Sequence, residues 1–203
     1  MKRRRRAPAW PSVRVLTGIG LCLVAVGLAA GPASAQGGSL PADMQVALIG
    51  KILRFDRHLE RYGAQVVLGV LYQAGNRESG RLANELNDAA RSLHTIGTAN
   101  QAVRTVLLPY RSGTDLRAEL RREGVSLLYV SAMRAVDVKQ LIEQAHAAGV
   151  LTIAGEREPI QAGVAIGLQE RGPRPAVSIR LGSARRVGSD FDSRLLALAD
   201  VQP

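Results

Sequence analysis

The side chains in this chain that can do chemistry are mostly arginines, with one serine and scattered carboxylates, and several stand directly after apolar runs. Arg77, Ser131, Arg134, Glu156 and Arg157 each follow a segment with the composition of a buried strand. The carboxyl ends of parallel strands are where open α/β sheets take ligands. Arginines at that edge favour an anionic ligand or an acidic partner surface, although long charged side chains are more often simply solvated. Arg77, Ser131, Arg134 and Arg157 are therefore the anion-binding candidates. The loop Gly75-Asn76-Arg77-Glu78-Ser79-Gly80 joins a strand pattern to a helix pattern, a place where free N–H groups can hold phosphate. It lacks the Gly-Lys-Ser/Thr ending of a nucleotide loop, and an ordinary strand-to-helix turn accounts for it more simply.

The other polar groups point away from catalysis. His58, His94 and His146 have no second histidine three or four residues away, so no metal-ligand spacing exists. His58 fits the last turn of a helix, where the dipole favours it. Ser131 lacks the Gly-x-Ser-x-Gly elbow of a nucleophile. Asp115, Glu119 and Glu123 alternate with Arg117, Arg121 and Arg122, the pattern of a solvated helix face. Asp190 and Asp192 suit helix caps. The expectation is a protein that is not an enzyme, with no catalytic residues, no metal and no cofactor.

The elements that would position these residues follow a regular order. Met44, Ala47, Leu48, Ile52, Phe55 and Leu59 recur at helical spacing up to Tyr62-Gly63. Val66 to Tyr72 is an apolar, β-branched strand, and Glu78 to Leu93 a second helix. A polar Gly97-Thr98-Ala99-Asn100 connection precedes a strand from Val103 to Leu108, which Pro109 should stop. A short capped helix through Arg122, a strand Val125 to Val130, a helix Val136 to Ala148 and a strand Val150 to Ala154 continue the alternation. These βα units predict a mainly parallel sheet flanked by helices, Rossmann-like or flavodoxin-like. Val164 to Leu168 and Ala176 to Leu181 flank a Gly172-Pro173 turn and predict a C-terminal hairpin. Phe191 to Ala199 predicts a closing helix. The first helix also carries a stripe of Ile49, Ile52, Phe55 and Leu59 between Lys51, Arg54, Arg57 and Arg61. Packing on its own sheet explains the stripe; burial of Ile52, Phe55 and Leu59 in a dimer or membrane-protein partner is the alternative.

The amino-terminal stretch sets the compartment. Lys2 and Arg3 to Arg6, the uncharged run from Val15 to Ala30 and the small residues Ala33-Ser34-Ala35 match a cleaved signal peptide over 1–35. The apolar run is roughly 16 residues, against about 20 for a membrane span. Ala7-Pro8 after the arginines does not fit a twin-arginine signal, so ordinary export to the periplasm is expected. Six of the 27 Lys and Arg residues and none of the 17 acidic ones fall in this segment, so the remainder is far less basic than the formal +10 suggests. Nucleic acid is not an expected partner. Cys22 and Trp10 also fall there. Residues 36–203 thus lack thiols and form one domain that depends on its apolar core.

Several segments together resemble the YfiR/HmsC-like family of bacterial periplasmic proteins. They are Val46-Ala47-Leu48-Ile49-Gly50-Lys51-Ile52-Leu53-Arg54-Phe55, Val67-Leu68-Gly69-Val70-Leu71, Leu127-Leu128-Tyr129-Val130-Ser131, Val150-Leu151-Thr152-Ile153, and the tail from Ser183-Ala184-Arg185-Arg186 through Ser193-Arg194-Leu195-Leu196-Ala197-Leu198-Ala199. The resemblance implies an α/β protein, often dimeric, that restrains an inner-membrane diguanylate cyclase or sensor through its periplasmic part and so lowers cyclic-di-GMP and biofilm output. An anion-binding component of a transporter or sensor is the alternative. The chain departs from the family at Glu60-Arg61-Tyr62-Gly63, where a Trp-Pro is usual, at Ala162-Gly163 for a Gly-Gly, and at Ile179-Arg180 for an Ile-Asn. The cysteines that give some members a redox response are missing.

Overall fold

A computed structural model describes residues 39–96 and 101–203. The signal peptide predicted over 1–35, with Cys22 and Trp10, and the 97–100 connection lie outside the described residues. Helix α1 (Ala42–Leu53) leads into strand β1 (Gln65–Gln73) through a 3-10 turn (Leu59–Tyr62). Then follow α2 (Arg77–Ala90), β2 (Thr95–Ile96), β3 (Gln101–Tyr110), α3 (Leu116–Glu123), β4 (Leu127–Val130), α4 (Val138–Ala147), β5 (Leu151–Ala154) and α5 (Arg157–Ala162). The hairpin β6 (Ile166–Arg171) and β7 (Arg174–Arg180), helices α6 (Leu181–Arg186) and α7 (Ser193–Leu196), and strand β8 (Asp200–Gln202) complete the domain.

The strands form one sheet in the order β2-β3-β1-β4-β5-β6-β7-β8. β3, β1, β4, β5 and β6 pair in parallel, and their order is the 2-1-3-4-5 of flavodoxin-like sheets. β6 and β7 pair antiparallel around Gly172, whose φ of +61° suits the turn. The mixed, mainly parallel sheet and its C-terminal hairpin are therefore as the sequence predicts.

Both faces of the sheet are covered at β1, β4 and β5, which is why these central strands are nearly all apolar rather than alternating. In β1, Val66, Leu68 and Val70 turn to the α1–α2 face, where Ile49, Leu53, Ala83 and Leu86 meet them. Val67 and Leu71 turn to the opposite face, against Leu116, Leu120, Leu141 and Ile142 of α3 and α4. Gly69 stays a glycine because a Cβ there would come 2.9 Å from Leu108 and 3.0 Å from Val125.

Four expectations need correction. The first helix stops at Leu53, not Tyr62. Beyond it, Phe55 and Asp56 close tight bonds to Ile52 and Leu53, and Asp56 then pairs as an isolated bridge with Phe191; a tertiary attachment wins over helical periodicity. Pro109 lies inside β3 instead of ending it. Ala102 donates to Ala64 and Tyr110 accepts from Ala74, so even-numbered residues of β3 face β1 and odd-numbered ones face outward. Outside, β2 reaches only Gln101 and Ala102, and a proline with its nitrogen on an open edge costs no ladder bond. The closing helix shrinks to Ser193–Leu196, and the tail turns into β8 beside β7. The α4 helix begins at Val138, after Asp137 caps it through Gln140 N–H.

Candidate functional site

The chain reverses its direction of travel across the sheet between β1 and β4, and the crevice outside their carboxyl ends is the place where such folds bind. Gln73, the last residue of β1, spans it. Its Oε1 accepts from Arg134 N–H at 2.8 Å and its Nε2 donates to Arg134 C=O at 2.9 Å, so one side-chain amide pairs with the loop after β4 as a strand would. Asn76 Nδ2 donates to the same Gln73 oxygen, and Ser79 Oγ accepts from Gln73 N–H at 3.0 Å.

The amino terminus of α2 is closed in the same way. Asn76 Oδ1 takes the N–H groups of Glu78 and Ser79, two of the donors an anion would need. Arg77 is exposed at the first position of α2, beside a pocket of about 590 Å³ that Gln73 and Arg134 also line. Arg134 pairs with Glu78 at 3.6 Å. A second pocket of about 340 Å³ has Glu78, Glu156 and Glu158 on its wall along with Arg134. Glu156 Oε2 accepts from Ala132 N–H at 2.9 Å. Burial, with smaller contributions from Glu78 and Glu158, pushes its carboxyl up to about 7 against the pull of the Ala132 bond. Ser131 is fully buried, and its hydroxyl meets no partner among the described residues. Arg157 is exposed at the start of α5. The crevice thus brings Arg77 and Arg134 together but surrounds them with glutamates.

Beneath the crevice, Tyr129 donates to Gln45 Oε1 at 2.7 Å and accepts from Gly155 N–H at 3.0 Å. Gln45 Nε2 donates to Leu40 C=O at 2.7 Å. Burial raises the Tyr129 hydroxyl far above its ordinary value. This buried chain of bonds ties α1 to the ends of β4 and β5.

The corner after α1 is a second candidate surface. Ile52 and Leu59 are buried in the core, and Phe55 is half-buried at its rim. The Arg194 guanidinium lies over the Phe55 ring at 5.7 Å, a cation–π distance. A pocket of about 190 Å³ opens there between Phe55, Arg54, Arg57 and Arg194. Asp56, whose side chain has no exposure, anchors the corner. It accepts from His58 N–H at 3.0 Å, Asp190 N–H at 3.1 Å and Arg61 Nη1 at 3.3 Å. Arg61 also donates to Gly188 C=O and Ser189 Oγ, and Arg57 pairs with Asp190 and Asp192. The loop after α1 and the tail are therefore one unit. Asp192 caps α7, and the Arg194 hydrogen bond holds its carboxyl down at about 2.

The histidines do not gather. His146 packs beside Thr152, 2.9 Å from its hydroxyl, and burial lowers its basicity, so the neutral ring is core material. His58 meets Gly188 C=O, and His94 is exposed. Among the described residues no three metal-binding side chains converge. Sequence reasoning missed Gln73, Gln45 and Asp56. Only Asp56 carried a signal, since a carboxylate four residues after Ile52 interrupts the apolar stripe.

Comparison with known proteins agrees with this fold. A family model described as YfiR/HmsC-like matches residues 42–200. No curated protein matches the chain. Solved structures share the fold at low identity. A conserved domain protein from Vibrio cholerae is 15% identical with a TM-score of 0.60, covering 80% of this chain and 60% of its own. A Streptococcus pneumonia ABC domain in complex with L-Trp is 12% identical at 0.57, covering 79% and 60%. A ligand-free, open substrate binding protein with adhesive properties from Clostridium difficile is 12% identical at 0.56, covering 80% and 60%. The chain spans about 60% of the length of each of these three.

Proposed function

On the footing that this chain belongs to the YfiR/HmsC-like family, we propose that it is a periplasmic, non-catalytic regulator that restrains a membrane-bound diguanylate cyclase, or a related membrane sensor, by direct protein contact. Release of the restraint raises cyclic-di-GMP and with it biofilm formation. The signal peptide over 1–35 delivers the chain to the periplasm, and the protein acts as a homodimer. The mechanism is a binding equilibrium, in which the free regulator holds the partner inactive and any state with lower affinity lets it go.

The observation that carries this function is the match of the YfiR/HmsC-like family model over residues 42–200, and the crevice at the sheet's switch point, partly filled by the protein's own side chains, adds to it. Gln73 occupies the gap between β1 and β4, Asn76 uses the first N–H groups of α2, and Glu78, Glu156 and Glu158 oppose an anion. Surface contact is the mode of action that the family implies. The Phe55 corner suits it, with an aromatic ring half in the core under a ring of arginines, the residue types that dominate binding energy at interfaces. Two of the proteins that share the fold are a domain in complex with L-Trp and a substrate binding protein. A small anion held by Arg77 and Arg134, which line one pocket, is accordingly the alternative.

Phe55→Glu separates contact from folding. The half-exposed position beside Arg54, Arg57 and Arg194 accepts a carboxylate, so the variant is expected to keep its circular dichroism. It should lose at least about tenfold in affinity, about 1.4 kcal/mol, for the periplasmic part of the membrane cyclase in a surface-plasmon titration. Leu59→Glu places a charge in the core and is expected to unfold the domain. Wild-type affinity in a folded Phe55→Glu would remove this corner from the interface.

A further inference from the structure

Helix α1 has a second stripe besides the one that meets the sheet. Val46, Ile49 and Leu53 are buried in the core, whereas Asp43, Met44, Ala47, Lys51 and Arg54 are exposed. Their spacing by threes and fours puts these five within about a third of the helix circumference. Arg54 follows Leu53 with φ −64° and ψ −17°, so it continues the stripe. The stripe is graded, with an acid at its amino end, an alanine in the middle and two cations at its carboxyl end. That order suits the helix dipole, and it also makes the stripe complementary to itself when run backwards.

The charges on this stripe are single. Among the described residues, Asp43, Lys51 and Arg54 have no ion-pair partner, whereas Arg57, Arg61 and Arg194 at the neighbouring corner each hold an acid. Met44 is 41% exposed, one of three large apolar side chains among the described residues left so open. Beside the stripe, Ala47, Gly50, Lys51 and Arg54 wall a hollow of about 250 Å³ whose other side is Leu93 and Ile96, with no acid on it.

We propose that α1 is the surface on which two copies of this chain pair, its outward stripe packed antiparallel on the same stripe of the second copy about a two-fold axis at Ala47. Asp43 and Lys51 each lie four residues from Ala47, so such an axis sets the acidic end of one helix level with the cationic end of the other. The small Ala47 side chains at the axis let the two helices approach closely. Helical side chains lean toward the amino end, so Arg54 reaches back beside the hollow to the second copy's Asp43. The second copy's Met44 lies along the apolar stem of Lys51. The stripe from Met44 to Arg54 is about 15 Å long, so the contact is small and the dimer exchanges with monomer. The inference gives the homodimer of the proposed function its surface and rests on that part of it alone, without the cyclase.

Sedimentation velocity of the purified protein over a concentration series tests the surface. The wild type is expected to show a concentration-dependent dimer that salt weakens. Asp43→Arg alone and Arg54→Glu alone set like charges against each other twice per dimer and should each weaken it at least about tenfold, with circular dichroism unchanged. Asp43→Arg and Arg54→Glu in one chain restore an opposite-charge pairing and should recover most of the lost affinity. A wild type that stays monomeric throughout would overturn the surface and the homodimer together. A dimer that both single variants leave intact, or that the double variant does not rescue, would overturn the surface alone.

Discussion

Asp56→Ala is expected to remove about 3–5 kcal/mol of stability, a large part of the roughly 5–15 kcal/mol typical of a domain. Three donors converge on this carboxylate: two backbone N–H groups, from His58 and Asp190, and the Arg61 guanidinium. Alanine leaves the N–H groups unsatisfied and Arg61, only a quarter exposed along its side chain, without its acid. The isolated bridge between Asp56 and Phe191 loses its side-chain support at the same time. Urea unfolding should show a midpoint shift of that size. Asp56→Asn, which keeps an acceptor and drops the charge, should lose less. A loss below about 1 kcal/mol in Asp56→Ala would mean that the corner is held by apolar packing of Phe191 and Leu59 instead.

Gly155→Ala should be almost as damaging, about 2–4 kcal/mol, for a different reason. The added Cβ would lie 2.7 Å from the Tyr129 hydroxyl and closer still to Gln45 Oε1. Neither can retreat, because Tyr129 is fully buried and Gln45 is tied to Leu40. The methyl group therefore breaks the buried bonds that join α1 to β4 and β5. Tyr129→Phe removes the hydroxyl and part of the clash, so the double variant should be markedly less destabilised than the sum of the singles. Additive losses would show that the strain is absorbed by the backbone rather than by this network.

The fold was legible where local pattern and tertiary role coincide. β1, β4 and β5 are apolar on both faces, and the helices between them show one apolar stripe, so the alternation and its parallel pairing follow from the residues alone. Long-range attachments decide the rest. Nothing local tells Phe55 and Asp56 to leave the helix; Asp190 and Phe191, more than 130 positions away, do that. Pro109 is a strand breaker in general and harmless on an edge, and edge position is a property of the sheet, not of the segment.

The candidate site divides along the same line. Arg77 and Arg134 were found because they follow strands. What fills the crevice around them was not, because Gln73 is an unremarkable polar residue at a strand end until β4 is placed beside β1. Ile52 and Leu59 show the converse. Their spacing marks an apolar face, but a sequence pattern cannot say whether that face is covered by the protein's own tail. Here it is, and only Phe55 reaches the surface.

Restraint of a membrane cyclase is read most directly from cellular cyclic-di-GMP in a strain lacking this gene, quantified by mass spectrometry and compared with strains complemented by wild type and by Phe55→Glu. Deletion is expected to raise it at least several-fold, with reversal by wild type and none by a folded, exported Phe55→Glu. Unchanged cyclic-di-GMP in the deletion strain, with the membrane cyclase present and expressed, would contradict that restraint.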